Sequence, residues 1–409
     1  MRIGIDARMY GLEHAGIGRY VENLVQNLLK IDKNNQYVLF VRKAQSNQIK
    51  NEKINLPAGK AGIKNDPEKF ASQINGAGNL KLKIVIAEAR HYSIKEQFLV
   101  PYLIWKEKVN LMHFPHFNVP VFYFGKYVVT IHDLIKHTFK GMATTTRNPL
   151  FYWFKYFGYL IVFWLAVKRA KKILVPSKTV ALQLRKAYSL PESKVVVTYE
   201  GVDKKLQITN YKLQITNILE KYDIKKPYLL YVGSVYPHKN ISNLIRSILV
   251  FNSKYHDTVH GNYLRLVVVC SRNAFWERLR KDINELNAQN FVNLAGFIPD
   301  EELVILYRQA EAFVFPSESE GFGLPGLEAM ASGLPVLASD IPVFREVYQD
   351  AAFYFDQKNP EDIAQKIKKF LFDENLREQT RTKGLELVKN YSWSKMAQKT
   401  LKIYKCINI

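Results

Sequence analysis

Short runs of β-branched and aromatic residues alternate, along the whole chain, with longer stretches in which apolar positions recur every three or four residues. This alternation is typical of parallel α/β domains, in which each strand is followed by a helix that crosses back over the sheet. The first such unit is a strand at Arg2–Asp6, a glycine-containing loop and a helix at Arg19–Lys30. The remaining strands are predicted in two series: Tyr37–Val41, Leu82–Ile86, Leu111–His113, Tyr127–Ile131, Lys172–Val175 and Lys194–Val197, then Tyr228–Val232, Leu264–Val269, Phe291–Leu294, Ala312–Phe315, Pro335–Ala338 and Phe353–Phe355.

The two series of strands predict two domains. A chain of 409 residues is longer than one hydrophobic core usually serves. The pattern changes near Gly201–Pro227, so we expect an N-terminal domain over residues 1–200 and a C-terminal domain over residues 201–385. Residues 386–409 form a predicted C-terminal helix that packs back toward the N-terminal domain.

Two segments interrupt the pattern. Lys43–Asn79 is long, polar and without clear periodicity, which predicts a surface insertion over about residues 43–80. The pentapeptide Leu206–Asn210 recurs unchanged as Leu213–Asn217. A tandem repeat this short does not make a repeat architecture, and we predict a second surface insertion at about residues 205–217.

Charge and cysteine content narrow the partners and the compartment. Residues 1–200 hold 31 Lys and Arg against 13 Asp and Glu, whereas the remainder holds 28 against 24, so most of the net charge of +22 lies in the first half. A basic half favours an anionic partner: nucleic acid, a membrane surface or a phosphorylated substrate. Cys270 and Cys406 form no disulfide framework, and no signal peptide is evident, so we expect a cytoplasmic location.

The stretch Phe315–Val336 (FPSESEGFGLPGLEAMASGLPV) carries the most specific chemistry. A strand ends at Phe315, a glycine-bearing turn follows, and a helix begins near Pro325. Backbone amides of Gly323 and Leu324 at such a helix N-terminus suit a diphosphate. Glu320 lies in the loop within reach of a sugar, and Glu328 lies one turn into the helix, where a carboxylate accepts hydrogen bonds from two ribose hydroxyls.

This stretch resembles the signature of the group 1, glycogen-synthase-like family of retaining glycosyltransferases, which carries two glutamates seven residues apart. Other stretches are similar to the same family's motifs. They are Met1–Asn27, Val128–Leu134 with its histidine, Val175–Lys178, Glu200–Asp203 and Tyr231–Asn240.

The resemblance implies a GT-B fold, in which two Rossmann-like doubly wound domains face a central cleft. It implies catalytic roles for His132, Glu320 and Lys239. It also implies donor-binding roles for Gly16, Gly18, Ser234, His238, Lys239, Gly321, Phe322, Gly323, Leu324 and Glu328. On the acceptor side, His113, His116 and Asn118 are weaker candidates that we expect to line the cleft.

The implied reaction moves a hexose from a nucleoside diphosphate sugar to a saccharide or lipid-linked saccharide, with retention of configuration. Many relatives carry arginine where this chain has Ser234, and arginine again where it has His238. The first change is similar to a branch rich in mannosyltransferases, which favours GDP-mannose; the second leaves the diphosphate to Lys239, with help from His238 when protonated. The donor is a substrate, and no cofactor and no metal site are expected.

Other functions fit the residues less well. A nucleotide-sugar 2-epimerase shares the GT-B architecture but does not account for the paired glutamates. A dehydrogenase would carry a third glycine after Gly16-Ile17-Gly18. A non-catalytic carbohydrate- or nucleic-acid-binding module would account for the basic half but not for Glu320, Glu328 and Lys239 together, and no nucleic-acid partner is expected.

The stretch Leu150–Val167 (LFYWFKYFGYLIVFWLAV) holds nine Phe, Tyr or Trp residues and is followed by Lys168, Arg169, Lys171 and Lys172. Its length permits a spanning helix. A span, however, would place the strands on either side of it, which belong to one sheet, on opposite sides of the membrane. Aromatic rings beside a basic cluster favour a membrane interface, so we expect peripheral attachment to the inner face of the membrane through residues 150–172.

Overall fold

The protein, seen here in a computed structural model, divides into two compact units. The structure describes residues 1–11, 14–51, 82–140, 149–203, 215–255 and 262–407. The first unit comprises Met1–Leu134, Pro149–Glu200 and Trp393–Ile409. The second comprises Ile135–Asn148 and Gly201–Ser392.

The first unit is built on a seven-stranded parallel sheet in the order β3-β2-β1-β4-β5-β6-β7. From β1 the chain moves outward to β3, then returns to β4 and proceeds to the other edge. Right-handed crossovers therefore put helices on both faces, which is the doubly wound arrangement. The strands are β1 (Arg2–Asp6), β2 (Gln36–Val41), β3 (Leu82–Ile86), β4 (Leu111–Phe114), β5 (Tyr127–Thr130), β6 (Lys172–Val175) and β7 (Val195–Val197).

The second unit repeats the plan with six parallel strands in the order β10-β9-β8-β11-β12-β13. Here the direction of winding reverses between β8 and β11. The strands are β8 (Tyr228–Val232), β9 (Arg265–Val269), β10 (Val292–Gly296), β11 (Ala312–Phe315), β12 (Val336–Ser339) and β13 (Ala352–Phe355). All thirteen predicted strands are thus confirmed, within two residues at each end.

The described helices lie between successive strands, except for the last three, which follow β13. Those of the first unit are α1 (Ala15–Ile31), α2 (Lys43–Asn51), α3 (Ile94–Lys106), α5 (Pro149–Arg169), α6 (Lys178–Tyr188) and α15 (Trp393–Ile407), while α4 (Ile135–Thr138) belongs to the second. The second unit also holds α7 (Ile215–Lys221), α8 (Ile241–Tyr255), α9 (Ala274–Glu285), α10 (Asp300–Gln309), α11 (Leu324–Ala331), α12 (Pro342–Val347), α13 (Pro360–Phe372) and α14 (Glu374–Leu387).

Helices α3 and α5 share one face of the first sheet. Val100 and Ile104 of α3 belong to the same buried cluster as Phe163 and Val167 of α5. Apolar residues of β4, β5 and β6 complete that cluster. Each helix therefore has one side packed on the sheet and an opposite side turned outward.

The two predicted insertions contain ordered elements, which corrects the prediction where it is tested. Lys43–Asn51 forms α2, and it buries Gln45, Ser46 and Ile49 on one side. Helix α7 begins at Ile215, inside the second copy of the repeat. Helix formation there uses the apolar residues that follow the repeat, with Ile218 buried. The rest of both segments lies outside the described residues.

The C-terminal helix α15 packs against α1 in the first unit. Its Tyr404 is fully buried, and its hydroxyl lies 2.5 Å from Nδ1 of His113. The other ring nitrogen of His113, Nε2, lies 2.8 Å from Oγ1 of Thr130. The helix is thereby joined by a polar contact to the centre of the sheet. The expected range began at residue 386, whereas the first unit resumes at Trp393.

We expect Tyr404→Phe to lower the free energy of unfolding by about 1–3 kcal/mol, because it leaves Nδ1 of His113 buried without its partner. Urea denaturation followed by circular dichroism measures the change. Tyr102→Phe on α3 is the control, since Tyr102 is exposed. Equal stability of the two variants would contradict a structural role for the Tyr404 hydroxyl.

Candidate functional site

The winding reversal between β8 and β11 places two loops side by side in the second unit. In doubly wound sheets, ligands bind beyond the carboxyl ends of the strands at such a point. The loop after β8 contains a short 3-10 turn, Pro237–Lys239, and the loop after β11 runs from Pro316 to Gly323. The amide of Glu318 donates to the carbonyl of His238 over 2.8 Å, so the loops are joined by their backbones.

Asn240 ties the same two loops more firmly. It adopts a left-handed conformation, with φ of 58°, at the end of the 3-10 turn. Its buried side-chain amide donates to the carbonyl of Pro316 at 3.2 Å and to the carbonyl of Gln357 at 2.7 Å. Three loops at the carboxyl edge of the sheet therefore share one amide, which fixes the position of the neighbouring Lys239.

Lys239 and Glu320 form an ion pair at this edge. Nζ of Lys239 lies 2.5 Å from Oε1 of Glu320, and both side chains are largely buried. The hydroxyl of Ser317 donates to the same carboxylate oxygen at 2.8 Å. The ring of Phe315 lies beneath the ammonium, 5.9 Å from it. Two of the predicted catalytic residues are thus brought together, and Ser317 orients one of them.

The glycines before and within α11 have a packing reason as well as a chemical one. Gly323 has a φ of 92°, and a Cβ there would lie 2.3 Å from the hydroxyl of Tyr348. A Cβ at Gly326 would lie equally close to that hydroxyl. Tyr348 donates its hydroxyl to the carbonyl of Gly323, so the ring supports the helix N-terminus from below. Tyr348 lies 25 residues away from Gly323, and no pattern in the sequence indicates its role.

Glu328 lies in the second turn of α11 and is nearly buried. Phe322 is also buried, and its ring lies edge-on to that of Tyr391 at 5.5 Å. Gly321, Gly323 and Leu324 are buried with it, so the predicted donor-binding loop is a packed part of the second unit.

The proposed assistance from His238 is wrong near neutral pH. Burial, together with the neighbouring Lys239 charge, lowers the pKa of His238 to about 3. Its ring stacks on Tyr236, with 5.9 Å between the ring centres. A neutral imidazole adds no positive charge, so the cation beside Glu320 is Lys239. Ser234 meanwhile accepts a hydrogen bond at its carbonyl from Tyr231 at 2.6 Å.

A cavity of about 780 Å³ lies in the second unit. Ser271 and Arg272, which follow β9, line it together with Gly296 and Phe297 at the end of β10. Lys239 and Glu320 are not among its lining residues. Strand β9 pairs with β8, so the end of the cavity at Ser271 and Arg272 lies on the carboxyl edge that carries the ion pair, whereas Tyr222, Asp223 and Asn293 line its other end.

His132 follows β5 in the first unit, and both of its ring nitrogens face acceptors. Nδ1 lies 3.2 Å from Oε1 of Glu200, and Nε2 lies 2.9 Å from the carbonyl of Pro115. Because a carbonyl only accepts, Nε2 carries a proton. Burial opposes a charge on the ring, but the hydrogen bond and the charge of Glu200 raise the pKa of His132 overall.

Glu200 is a functional candidate that the sequence indicates only as part of the Glu200–Asp203 motif. Its carboxylate favours the protonated form of His132, and both ring nitrogens of His132 are engaged. The edge of the Tyr20 ring closes the remaining side at 4.8 Å. With both ring nitrogens engaged, His132 is held in one orientation beside Glu200.

The acceptor-side candidates do not form one surface. His113 is fully buried between Tyr404 and Thr130, and burial lowers its pKa to about 3, so its assignment to a cleft wall is wrong. Asn118 is buried too, and it donates to Glu96 at 2.7 Å. His116 is half-buried, and its ring lies 4.0 Å from that of Phe117.

Asn118 belongs to a charged network beneath the carboxyl ends of β1 and β4. Arg8 is fully buried and bonds to Asp6 and Glu96, each at 2.6 Å. Sharing of Glu96 between Arg8 and Asn118 ties the loop after β4 to the loop after β1. Asn118 therefore supports these loops through its Nδ2, while its Oδ1 has no hydrogen-bond partner among the described residues.

Gly16 and Gly18 lie in the first turn of α1, not in a loop as expected. A Cβ at Gly18 would lie 1.8 Å from the carbonyl oxygen of Gly11, so the glycine is required for packing against that backbone. Gly16 is exposed, and a Cβ there would meet nothing within 4 Å. Of the two, only Gly16 faces outward at the helix N-terminus.

Within the described residues, no group of three or more His, Cys, Asp or Glu side chains is arranged to hold a metal ion. Across the same ranges, every helix is too short or too polar to cross a bilayer.

Two known protein families match the chain, each over most of one unit. The family described as "Glycosyl transferases group 1" matches residues 214–386, and the one described as "Glycosyltransferase Family 4" matches residues 14–206. The O-antigen chain mannosyltransferase RfbU of Salmonella typhimurium is 36% identical over 51% of this chain and 51% of its own. The O-antigen chain mannosyltransferase B of Escherichia coli is 30% identical over 58% of this chain and 61% of its own. The matches thus span about half to three fifths of these relatives.

The fold is shared with solved glycosyltransferases. A sucrose-phosphate synthase from Thermosynechococcus elongatus superimposes with a TM-score of 0.72 at 18% identity, covering 100% of this chain and 99% of that one. This likeness supports the GT-B class, with two Rossmann-like domains. The paired loops of the second unit agree with these matches, in which residues 214–386 match the group 1 glycosyltransferase family and residues 14–206 match glycosyltransferase family 4.

We expect Glu200→Gln to lower the pKa of His132, because the neutral amide removes the charge that raises it. A group with a raised pKa stabilises the fold below its unfolded pKa, about 6.5, and loses that contribution as pH rises through its folded pKa. The variant should therefore be less stable than the parent at mildly acidic pH, and the difference should shrink as pH rises.

An NMR titration of the His132 ring checks the pKa. Urea denaturation at mildly acidic pH and at higher pH checks the difference in stability. Glu192→Gln is the matched control, since Glu192 is exposed and pairs with Arg185 in the same unit. An unchanged His132 titration in Glu200→Gln would contradict the ion pair.

Proposed function

We propose that the chain is a retaining hexosyltransferase that moves mannose from a nucleoside diphosphate sugar to a saccharide or lipid-linked saccharide in polysaccharide biosynthesis. GDP-mannose is the favoured donor. The observation that carries the proposal is the Lys239–Glu320 pair at the winding reversal of the second sheet, directly before the N-terminus of α11. The names of the two O-antigen mannosyltransferases support the choice of sugar.

Transfer from such a donor builds negative charge on the departing diphosphate and positive charge on the anomeric carbon. Lys239 and the backbone amides of the first turn of α11 stabilise the diphosphate in this proposal, because fixed charges and dipoles need no rearrangement during the reaction. Glu320 faces the sugar, and Ser317 holds its carboxylate in place.

The nucleoside is proposed to lie further along the same edge. In this proposal Glu328 accepts hydrogen bonds from the ribose hydroxyls. The base occupies the cavity beside Ser271 and Arg272, and the volume of that cavity is in the range of small-molecule sites. The catalytic role of His132 is kept in this proposal, with Glu200 orienting its ring. The donor is consumed as a substrate, so the proposal includes no cofactor.

Peripheral attachment to the inner face of the membrane is part of the same proposal, since a lipid-linked acceptor lies at that surface. Helix α5 turns Trp153, Phe154 and Phe157 outward. Not all of the basic cluster beside it is available, however. Arg169 donates to the carbonyl of Val121 at 2.7 Å, and Lys172 donates to the carbonyl of Ser193 at 2.5 Å. Lys168 and Lys171 are the exposed lysines of the cluster.

A panel of nucleoside diphosphate sugars, measured by thermal shift and then by release of the nucleotide, tests the donor. We expect GDP-mannose to raise the melting temperature most. A larger shift with a UDP-sugar would overturn the choice of donor while leaving a glycosyltransferase, and the absence of any shift would contradict the donor site itself.

Glu328→Ala should weaken donor binding by about 1.5–3 kcal/mol, roughly ten- to over a hundredfold, because a charged acceptor is lost. Isothermal titration calorimetry with the donor of the panel measures it. Glu301→Ala, which removes an exposed carboxylate from α10, is the control. Parent-like affinity in Glu328→Ala would remove Glu328 from the ribose site.

Glu320→Gln should lose turnover far more than donor affinity, because its proposed contact strengthens as charge develops on the sugar. We expect a fall in kcat of at least about a hundredfold, within the range of single electrostatic groups in active sites. Glu318→Gln is the matched control, since Glu318 contributes its backbone amide to the loop contact. Equal kcat in both variants would place the chemistry elsewhere.

A further inference from the structure

Helix α3 carries an unusual outward stripe of large apolar side chains. Ile94, Phe98, Tyr102 and Trp105 are spaced by four, four and three residues, so they lie along one side of the helix. Their exposed fractions are 81%, 61%, 53% and 77%. The packed side of the helix carries Val100 and Ile104, so the stripe is additional to the residues that hold α3 to the sheet.

Helix α5 repeats this spacing on the same face of the sheet. Trp153, Phe157, Ile161 and Trp164 are again separated by four, four and three residues, and all are exposed. Phe154 widens the stripe at one end. Because α3 and α5 pack into one buried cluster, their outward stripes belong to the same side of the first unit.

The loop after β4 bridges the two helices. Gln97 of α3 accepts a hydrogen bond from the amide of Val121 at 2.7 Å, and Arg169 of α5 donates to the carbonyl of Val121, also at 2.7 Å. The loop then presents two more exposed rings. Phe122 packs on Phe98, with 4.9 Å between ring centres, and Phe124 lies under the Arg169 guanidinium at 5.0 Å. Hydrogen bonds to the backbone of Val121 hold the loop in place, so Phe122 and Phe124 are fixed in exposed positions.

The exposed charges of the two segments that carry these rings have one sign. Residues 92–126 and 149–172 contain nine Lys and Arg but only two acids, Glu96 and Glu107. Both acids are buried: Glu96 bonds to Arg8, and Glu107 bonds to Arg2 and Lys83. The exposed charges of these two segments are therefore basic.

We propose that these elements form one membrane-docking surface, the aromatic face, which lies on an anionic lipid bilayer with α3 and the loop after β4 as contacts equal to α5. It rests on the peripheral attachment proposed above and extends it to a second helix. The aromatic face is defined by Ile94, Phe98, Tyr102, Trp105, Phe122, Phe124, Trp153, Phe154, Phe157, Ile161 and Trp164.

A bilayer fits this surface for three physical reasons. Aromatic rings are favoured at the interface between headgroups and acyl chains, and two stripes joined by a loop present a broad surface to a planar target. Exposed apolar patches of this extent on a soluble domain mark interaction sites. The surrounding lysines attract anionic headgroups, an attraction that salt weakens.

Co-sedimentation with vesicles of phosphatidylcholine, with and without phosphatidylglycerol, tests the aromatic face. The full chain is compared with an α3 variant (Phe98→Ser and Trp105→Ser), an α5 variant (Trp153→Ser and Phe157→Ser) and a charge variant (Lys168→Gln and Lys171→Gln). A matched control replaces two exposed apolar residues elsewhere, Leu182→Ser and Phe372→Ser.

We expect the α3 and α5 variants each to bind anionic vesicles at least about tenfold more weakly than the parent, because each removes two buried rings from the interface. The charge variant should lose binding mainly at low salt, and the control should bind as the parent does. Melting temperatures and donor-induced thermal shifts, measured without vesicles, should stay near those of the parent in every variant.

Each outcome separates the two proposals. Loss of binding in the α5 variant alone would overturn the role of α3 and leave the attachment through residues 150–172. No vesicle binding by the parent would overturn both while leaving the glycosyltransferase activity to be judged by its donor. Self-association of the parent that the α3 variant abolishes, without vesicle binding, would assign the aromatic face to a second copy of the chain instead.

Discussion

The ion pair between Lys239 and Glu320 depends on a constraint of parallel sheets, namely that all strands deliver their loops to the same edge. These residues are 81 positions apart in the chain, yet they follow strands that are paired at the centre of the sheet. Asn240 and the Glu318 amide convert this proximity into a fixed distance by joining the loops. The proposed chemistry of the second unit needs that distance. The lysine that binds the diphosphate and the carboxylate that faces the sugar act on adjacent atoms of the donor.

Neighbouring residues determine how the predicted site residues behave. Tyr348 occupies the space that a side chain at Gly323 or Gly326 would need, so those glycines are required by a tyrosine beneath the helix. The hydrogen bond and charge of Glu200 raise the pKa of His132, whereas burial beside Lys239 lowers the pKa of His238. Two histidines in loops that follow strands thus have opposite pKa shifts, and burial with or without a carboxylate partner is the cause.

In the first unit, buried and exposed side chains have different roles. The charged network around Arg8 is buried, and its ion pairs and hydrogen bonds join the loops after β1 and β4. The rings of the aromatic face lie on the other side of helices that are already packed. Apolar residues on both sides of α3 and α5 are more than one domain core requires, and the excess is what points to a surface beyond the protein.

The sequence by itself determined the two sheets, their thirteen strands and the Phe315–Val336 loop and helix, because strand and helix periodicities and a helix N-terminus are local properties of the chain. It did not determine which histidine is buried, since the fate of His113 depends on Tyr404, 291 residues later. It placed Gly18 in a phosphate loop, whereas contact with the backbone of Gly11 explains that glycine. Only the tertiary structure decided these points and the outward stripe of α3, because exposure and partner choice are set by which elements pack together and not by the order of residues.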